Sequence, residues 1–119
     1  MNDATNSVIS PLVNRRCNPN AGPVTPAQIE QWIRQIPEWK IQAGVLACAF
    51  EFKNFYQTMA FVNALAWIAN AEDHHPDLTV SYSRCIVNFS THSVGGLSEN
   101  DFICAAKIDG LRQLSKLSQ

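Results

Sequence analysis

The 119-residue chain has no CxxC pair, no block of like charge and only three histidines. Each absence narrows what the protein does. The four cysteines, Cys17, Cys48, Cys85 and Cys104, lie far apart, and three of them fall within expected helices or strands. Such spacing is that of buried, reduced thiols in a cytosolic protein, not of a disulfide framework or a cysteine zinc site. Charged residues make up 16% and the net charge is −1, so no basic stripe points to nucleic acid and no acidic block to a cationic partner. The most apolar segment, 58–69, is far shorter than a membrane span and reads as a core helix. The opening "MNDATNSVIS" has neither the charged nor the apolar part of a secretory leader. Together these features lead to a cytoplasmic expectation.

What is present is enough apolar residue, 46%, to build one core in one domain, with oligomerisation a welcome addition. Residues 1–24 are rich in Asn, Pro, Ser and Gly and lack periodicity; they are expected to form a flexible arm, with the domain over 25–119.

Three helices announce themselves by their caps. "TPAQ" offers Thr25 as N-cap, Pro26 at the first helical position and Gln28 at the third. "NFYQ" repeats the device with Asn54 and Gln57, opening a helix to about Ala71. Phe55, Met59, Val62 and Ala66 make one stripe on it, with Phe61, Leu65 and Ile68 beside them. "SEND" does it again with Ser98 and Asp101, followed by Cys104, Ile108, Leu111 and Leu114 at helical spacing. Trp32, Trp39 and Trp67 are expected in the core.

Strands lie between. "WKIQAGVLACAFEF" breaks at Ala43–Gly44, a hairpin turn, after which Leu46, Cys48, Phe50 and Phe52 alternate with Ala47, Ala49 and Glu51. "LTVSYSRCIVNFSTH" is a second pair, turning near Ser83–Arg84, with Cys85, Val87 and Phe89 facing opposite Ile86, Asn88, Ser90 and His92. The order α-β-β-α-β-β-α implies an α+β fold: a four-stranded antiparallel sheet with three helices packed on one face.

That topology brings all the histidines together. His74 and His75 follow the long helix, and Pro76 stiffens the backbone after them. His92 ends the last strand, so a hairpin near 83 sets it beside the pair. Imidazoles titrate near neutrality, and two flanking a substrate act as base and acid in one turnover. An elimination of water needs that pairing. Asp73, Asp77 and Asp101 are carboxylates close enough in sequence to orient a ring, and Tyr82 is a candidate aromatic wall. The bland readings are plain: one histidine needs no function, Asp101 is already explained as a cap, and Glu72 and Asp73 read as solvated acids. Three gathered imidazoles with a stiffening proline outweigh them. Zinc is the sharp rival, but no HxH or HxxxH spacing turns two ligands to one face. Ser90, Ser93 and Cys85 lie near His92 without the surroundings of a nucleophile.

The segment "DHHPDLTVSYSRCIVNFSTHSVGGLSENDF" resembles the pterin-4a-carbinolamine dehydratase family, whose pattern falls here on His74, His75, Pro76, Tyr82, His92 and Asp101. One position departs: Asn70 stands where the family usually carries a charged residue. The resemblance implies dehydration of a 4a-hydroxytetrahydropterin to the quinonoid dihydropterin, in the recycling of the cofactor of aromatic amino acid hydroxylases. It implies His74 and His92 as acid and base, His75 as a positioning residue and Asp101 as support, with Asp73, Pro76, Tyr82 and Ser90 as further binding or supporting candidates. No metal or organic cofactor is implied, because the pterin is itself the substrate. The implied assembly is a homodimer or homotetramer, functionally coupled to a hydroxylase. The alternative within the same family is a non-catalytic, transcriptional-cofactor-type interaction module.

Overall fold

The computed structural model describes residues 11–112, and its elements follow from the caps. Helix α1 is Pro26–Ile33; Thr25 accepts from the Gln28 N–H, and the Gln28 side chain accepts from the Thr25 N–H at 2.9 Å. Helix α2 is Phe55–Glu72, with Asn54 accepting from the Gln57 N–H. The Gln57 amide oxygen reaches one residue past the cap and accepts from the Lys53 N–H. Helix α3 is Glu99–Asp109, with the reciprocal Ser98 and Asp101 bonds both formed. Leu114 of its expected stripe lies outside the described residues.

The sheet contains β1 (Lys40–Gln42), β2 (Val45–Glu51), β3 (Asp77–Val80) and β4 (Arg84–Phe89), in the spatial order β1-β2-β4-β3. All pairs are antiparallel, with Leu46 opposite Phe89 and Asp77 opposite Asn88. Ala43 (φ 51°) and Gly44 (φ 76°) form the first turn; positive φ at both positions gives the backbone twist that a two-residue hairpin needs. The second turn is one residue earlier than expected. Val80 pairs with Cys85 and the Ser81 N–H donates to the Arg84 carbonyl, so Tyr82–Ser83 form the tip. His92 is likewise not a strand residue: β4 ends at Phe89, and His92–Val94 turn as a 3-10 helix closed by Gly95 at φ 68°.

Leu46, Cys48, Phe50, Cys85, Val87 and Phe89 are buried on the face that all three helices cover. Trp32 of α1 packs on Phe102 of α3, and Phe61 of α2 packs on Phe50 with ring centroids 4.6 Å apart. Trp39 is buried against Phe50 and Phe89 and donates its indole N–H to Asp109 at 2.8 Å. Each such fully buried side chain contributes roughly 1.5–3 kcal/mol. The stripe on α2 differs from the expectation. Thr58, Phe61, Leu65 and Ala69 are its buried residues, whereas Phe55 and Ala66 are exposed and Trp67 is 73% exposed. An almost uniformly apolar helix carries no periodic contrast from which to read its inner face.

The expected arm lies partly outside the described residues, but from Pro11 on it is packed. Leu12 is fully buried, Pro23 bridges Ser98, and Asn18 exchanges hydrogen bonds with Asn100. Glu72 anchors it, which corrects the reading of that residue as a solvated acid. Its side chain, 6% exposed, accepts from the Cys17 N–H at 2.8 Å and pairs with Arg16 at 2.8 Å and Lys107 at 3.9 Å. Burial alone would raise its carboxyl, but the Cys17 N–H and the charges of Lys107 and Arg16 outweigh that and hold it below the ordinary 4.5. A lowered value in the folded state stabilises the fold fully above pH 4.5, and the contribution drains away as acid titrates through the lower folded value. Urea melts of the parent protein and Glu72→Gln should therefore differ most near neutral pH, and the gap should close on acidification below that point.

Candidate active site

One end of the sheet gathers the residues of interest. There α2 stops, β3 starts, the Ala43–Gly44 turn closes the first hairpin, and the chain leaves β4 toward α3. Helix α2 ends with Asp73 in the left-handed region at φ 52°, its N–H on the Asn70 carbonyl and the His74 N–H on the Ala69 carbonyl. This pairing turns the chain back on the helix end and sends His74 inward. Asp73 tolerates the left-handed geometry because a short polar side chain costs less there than a bulky one. Asp73 itself is exposed; its part here is the turn.

The His74 ring lies parallel to Phe89, with ring centroids 5.7 Å apart, and its Nε2 meets Asp101 Oδ1 at 2.6 Å. Asp101 is fully buried, and its other oxygen is occupied twice: the Ser98 N–H donates to Oδ2 at 2.9 Å and the Thr91 hydroxyl at 2.8 Å. A carboxylate that takes two donors on one oxygen offers its second oxygen as an acceptor as well. The proton of a neutral His74 therefore sits on Nε2, and the lone pair is on Nδ1. Two hydrogen bonds thus link the His74 ring to the side chain of Thr91, and His92 is the next residue along the chain.

His75 is exposed, and its Nε2 lies 3.1 Å from Asn70 Oδ1. The departure from the family pattern at 70 thus has a structural role: the amide oxygen accepts a ring N–H as a carboxylate would, without the charge. His92, also exposed, lines an open groove of about 270 Å³ together with Ala43, Gly44, Val45, Ser90, Thr91, Gly95 and Gly96.

The expected residues therefore divide. His74, Asp101, Ser90 and His92 lie at one end, with Pro76 holding the start of β3 beside them, and His75 stands at the rim. Tyr82 does not join them within the chain. It is 66% exposed at the tip of the second hairpin, the opposite end of β3 from His74. Among the described residues no three His, Cys, Asp or Glu side chains converge to hold a metal ion. Two participants escaped the sequence reading. Thr91 sits unremarked between Ser90 and His92, and its only clue was its place beside a histidine at a strand end. Phe89 read as plain core, although its ring is also the floor under His74.

The family model for pterin 4 alpha carbinolamine dehydratase matches residues 22–111. Curated relatives bearing the name pterin-4-alpha-carbinolamine dehydratase include one from Nitrosospira multiformis, 51% identical over 91% of this chain and 98% of its own. Another, from Stenotrophomonas maltophilia, is 55% identical over 87% of this chain and 93% of its own. Among solved structures, a transcriptional coactivator/pterin dehydratase from Brucella melitensis superposes with a TM-score of 0.71 at 27% identity, covering 75% of this chain and 97% of that one. A pterin dehydratase-like protein described as a RuBisCO assembly factor in the alpha-carboxysome has the same fold, with a TM-score of 0.52 at 24% identity over 62% of this chain and 86% of its own. An α+β sheet-and-helix layer with these relatives defines the protein as a small hydro-lyase. The chain belongs to the pterin 4 alpha carbinolamine dehydratase family.

Replacing Asp101 by asparagine puts an NH2 group where a donor already points, either the Ser98 N–H or the His74 ring. The expected outcome is a loss of about 2–3 kcal/mol in urea unfolding. The His74 ring should also lose its fixed orientation, to be read from its NMR side-chain signals.

Proposed function

We propose that the protein dehydrates a 4a-hydroxytetrahydropterin to the quinonoid dihydropterin by histidine acid–base catalysis, within the recycling of the pterin used by aromatic amino acid hydroxylases. The observation that carries this reading is the 2.6 Å contact between His74 and buried Asp101. With Nε2 held, Nδ1 is the nitrogen left to take the proton from ring nitrogen 5 of the substrate. Asp101 then stabilises the imidazolium, as a buried carboxylate does behind a general base. His92, at the groove wall, gives a proton to the departing 4a-hydroxyl. The C–O bond breaks, water leaves, and the carbon–nitrogen double bond forms. His75, oriented by Asn70, positions the pterin edge. The pterin is substrate, and the proposed reaction uses no metal and no organic cofactor.

His92 lines the groove of about 270 Å³, whose lining does not include His74, His75 or Asp101. The assembly that goes with this reading is a homodimer or homotetramer. The setting we propose is the cytoplasm. Among the described residues no helix is long and apolar enough to cross a membrane, and four free thiols fit a reducing compartment.

A non-catalytic interaction module is the second reading. It is favoured by the outer face of α2, where Tyr56 is 88% and Trp67 73% exposed, and by the coactivator name of the Brucella relative. Enzymatically generated carbinolamine, followed by ultraviolet absorbance, separates the two. Parent protein should accelerate its loss, and His74→Ala and His92→Ala should each cut kcat/KM by roughly a hundredfold; His92→Ala should keep the parental melting temperature, whereas His74→Ala should lower it by taking a donor from buried Asp101. A rate equal to buffer would favour the interaction module, and near-parental mutants would overturn the acid–base assignment.

A further inference from the structure

We propose that Thr91 is a positioning residue that couples the two imidazoles: its hydroxyl orients Asp101 toward His74, while its backbone carries His92. Both halves of Thr91 are held. The backbone N–H donates to the Gly96 carbonyl at 2.7 Å, and the carbonyl accepts from the Val94 N–H at 3.1 Å. The hydroxyl lies 2.8 Å from Asp101 Oδ2 and 2.8 Å from Ser98 Oγ. A hydroxyl has one hydrogen to give, and the carboxylate can only accept it. Thr91 therefore donates to Asp101 and accepts from the Ser98 hydroxyl, which itself accepts from the Asn100 N–H at 3.3 Å. The direction of every bond is thereby set from the first turn of α3 to the His74 ring. The Ser98 and Thr91 hydroxyls thus help hold the carboxylate whose other oxygen meets the His74 ring.

The effect on turnover rests on the dehydratase reading; the effect on the His74 ring shifts does not. Thr91→Val keeps the shape and removes the hydroxyl, leaving Ser98 without its acceptor and Asp101 with one donor fewer. The expected result is a fall in kcat of roughly tenfold with little change in KM, and nitrogen-15 shifts of the His74 ring that move as its bond to a less firmly held Asp101 loosens, with the Nε2–H tautomer kept. Thr91→Ser should restore both. Should the valine variant not fold, Thr91→Cys tests the same point with a weak donor. A folded variant lacking the hydroxyl but keeping the parental kcat and the parental His74 nitrogen shifts would overturn the proposal. Altered shifts in a protein without any turnover would instead overturn the dehydratase reading alone.

A second inference rests on sulfur. Cys17 Sγ and Cys104 Sγ lie 3.5 Å apart, with Cys17 half-exposed in the packed arm and Cys104 buried in α3. From this we infer that hydroperoxides convert the two thiols into a disulfide that latches the arm to α3. Cys17 sulfur attacks the peroxide, the O–O bond breaks, and a sulfenic acid and water result. Cys104 sulfur then displaces the hydroxyl from Cys17 as a second water, so two thiols and one hydrogen peroxide give one disulfide and two waters. Contact with Cys17 and burial push the Cys104 thiol up, and Cys17 is the more exposed of the two. Cys17 lies before the residues that the family model matches, and Cys104 lies within them.

Full-chain protein treated with hydrogen peroxide should lose the mass of two hydrogens and yield a linked peptide containing Cys17 and Cys104. It should melt several degrees higher until reduced, because the bond closes a long loop. Cys17→Ser should abolish all three changes. Recovery of both thiols free after peroxide, or a linked peptide joining Cys48 or Cys85 instead, would overturn the inference.

Discussion

The buried carboxylate of Asp101 is the contact on which the architecture of this protein converges. One of its oxygens caps α3 by accepting from the Ser98 N–H and also takes the Thr91 hydroxyl; the other takes the His74 ring. A fully buried charge is costly unless its lone pairs are satisfied, and here every near partner is a donor. The same satisfaction that makes the residue tolerable in the core makes the imidazole rigid. Stability and chemistry are therefore not separate demands at this position.

The rest of the fold supplies the three directions from which those donors come. The left-handed turn at Asp73 brings the chain back from α2, so His74 enters over Phe89 and does not follow the helix axis outward. The antiparallel pairing of β3 with β4 brings the residues after Phe89 alongside it. The bridge between Thr91 and Gly96 folds the connection back, so that Ser98 begins α3 next to both. The packed arm then crosses the ends of α2 and α3, with Glu72 and Asn100 as its holding points.

Away from this end, the surface tells a different story. The outer face of α2 shows Tyr56, Phe55 and Trp67 to solvent, whereas the covered face of the sheet is closed by aromatic contacts. Large apolar side chains collected on one helix face mark a surface that meets another protein more readily than water. A solved structure with the same fold is named both a transcriptional coactivator and a pterin dehydratase.

Caps, hairpin signals and strand alternation made most of the fold legible from the residues alone. Thr25, Asn54 and Ser98 each start a helix where expected, and the alternation from Leu46 to Phe52 matches burial, because these are local effects of hydrogen bonding and a period of two. The hairpin was legible for the same reason, and its pairing sets the residues just before Asp77 beside those just after Phe89; His92 lines a groove that His74 and His75 do not. What the residues could not reveal needed long-range contacts. The exposure of Trp67, the packing of Leu12, the distance of Tyr82 from the imidazoles and the part of Thr91 depend on which side chain meets which across the fold. Local pattern determined the elements and their order; only the tertiary structure decided that one carboxylate serves both a helix cap and the His74 ring, because its two oxygens face different parts of the chain.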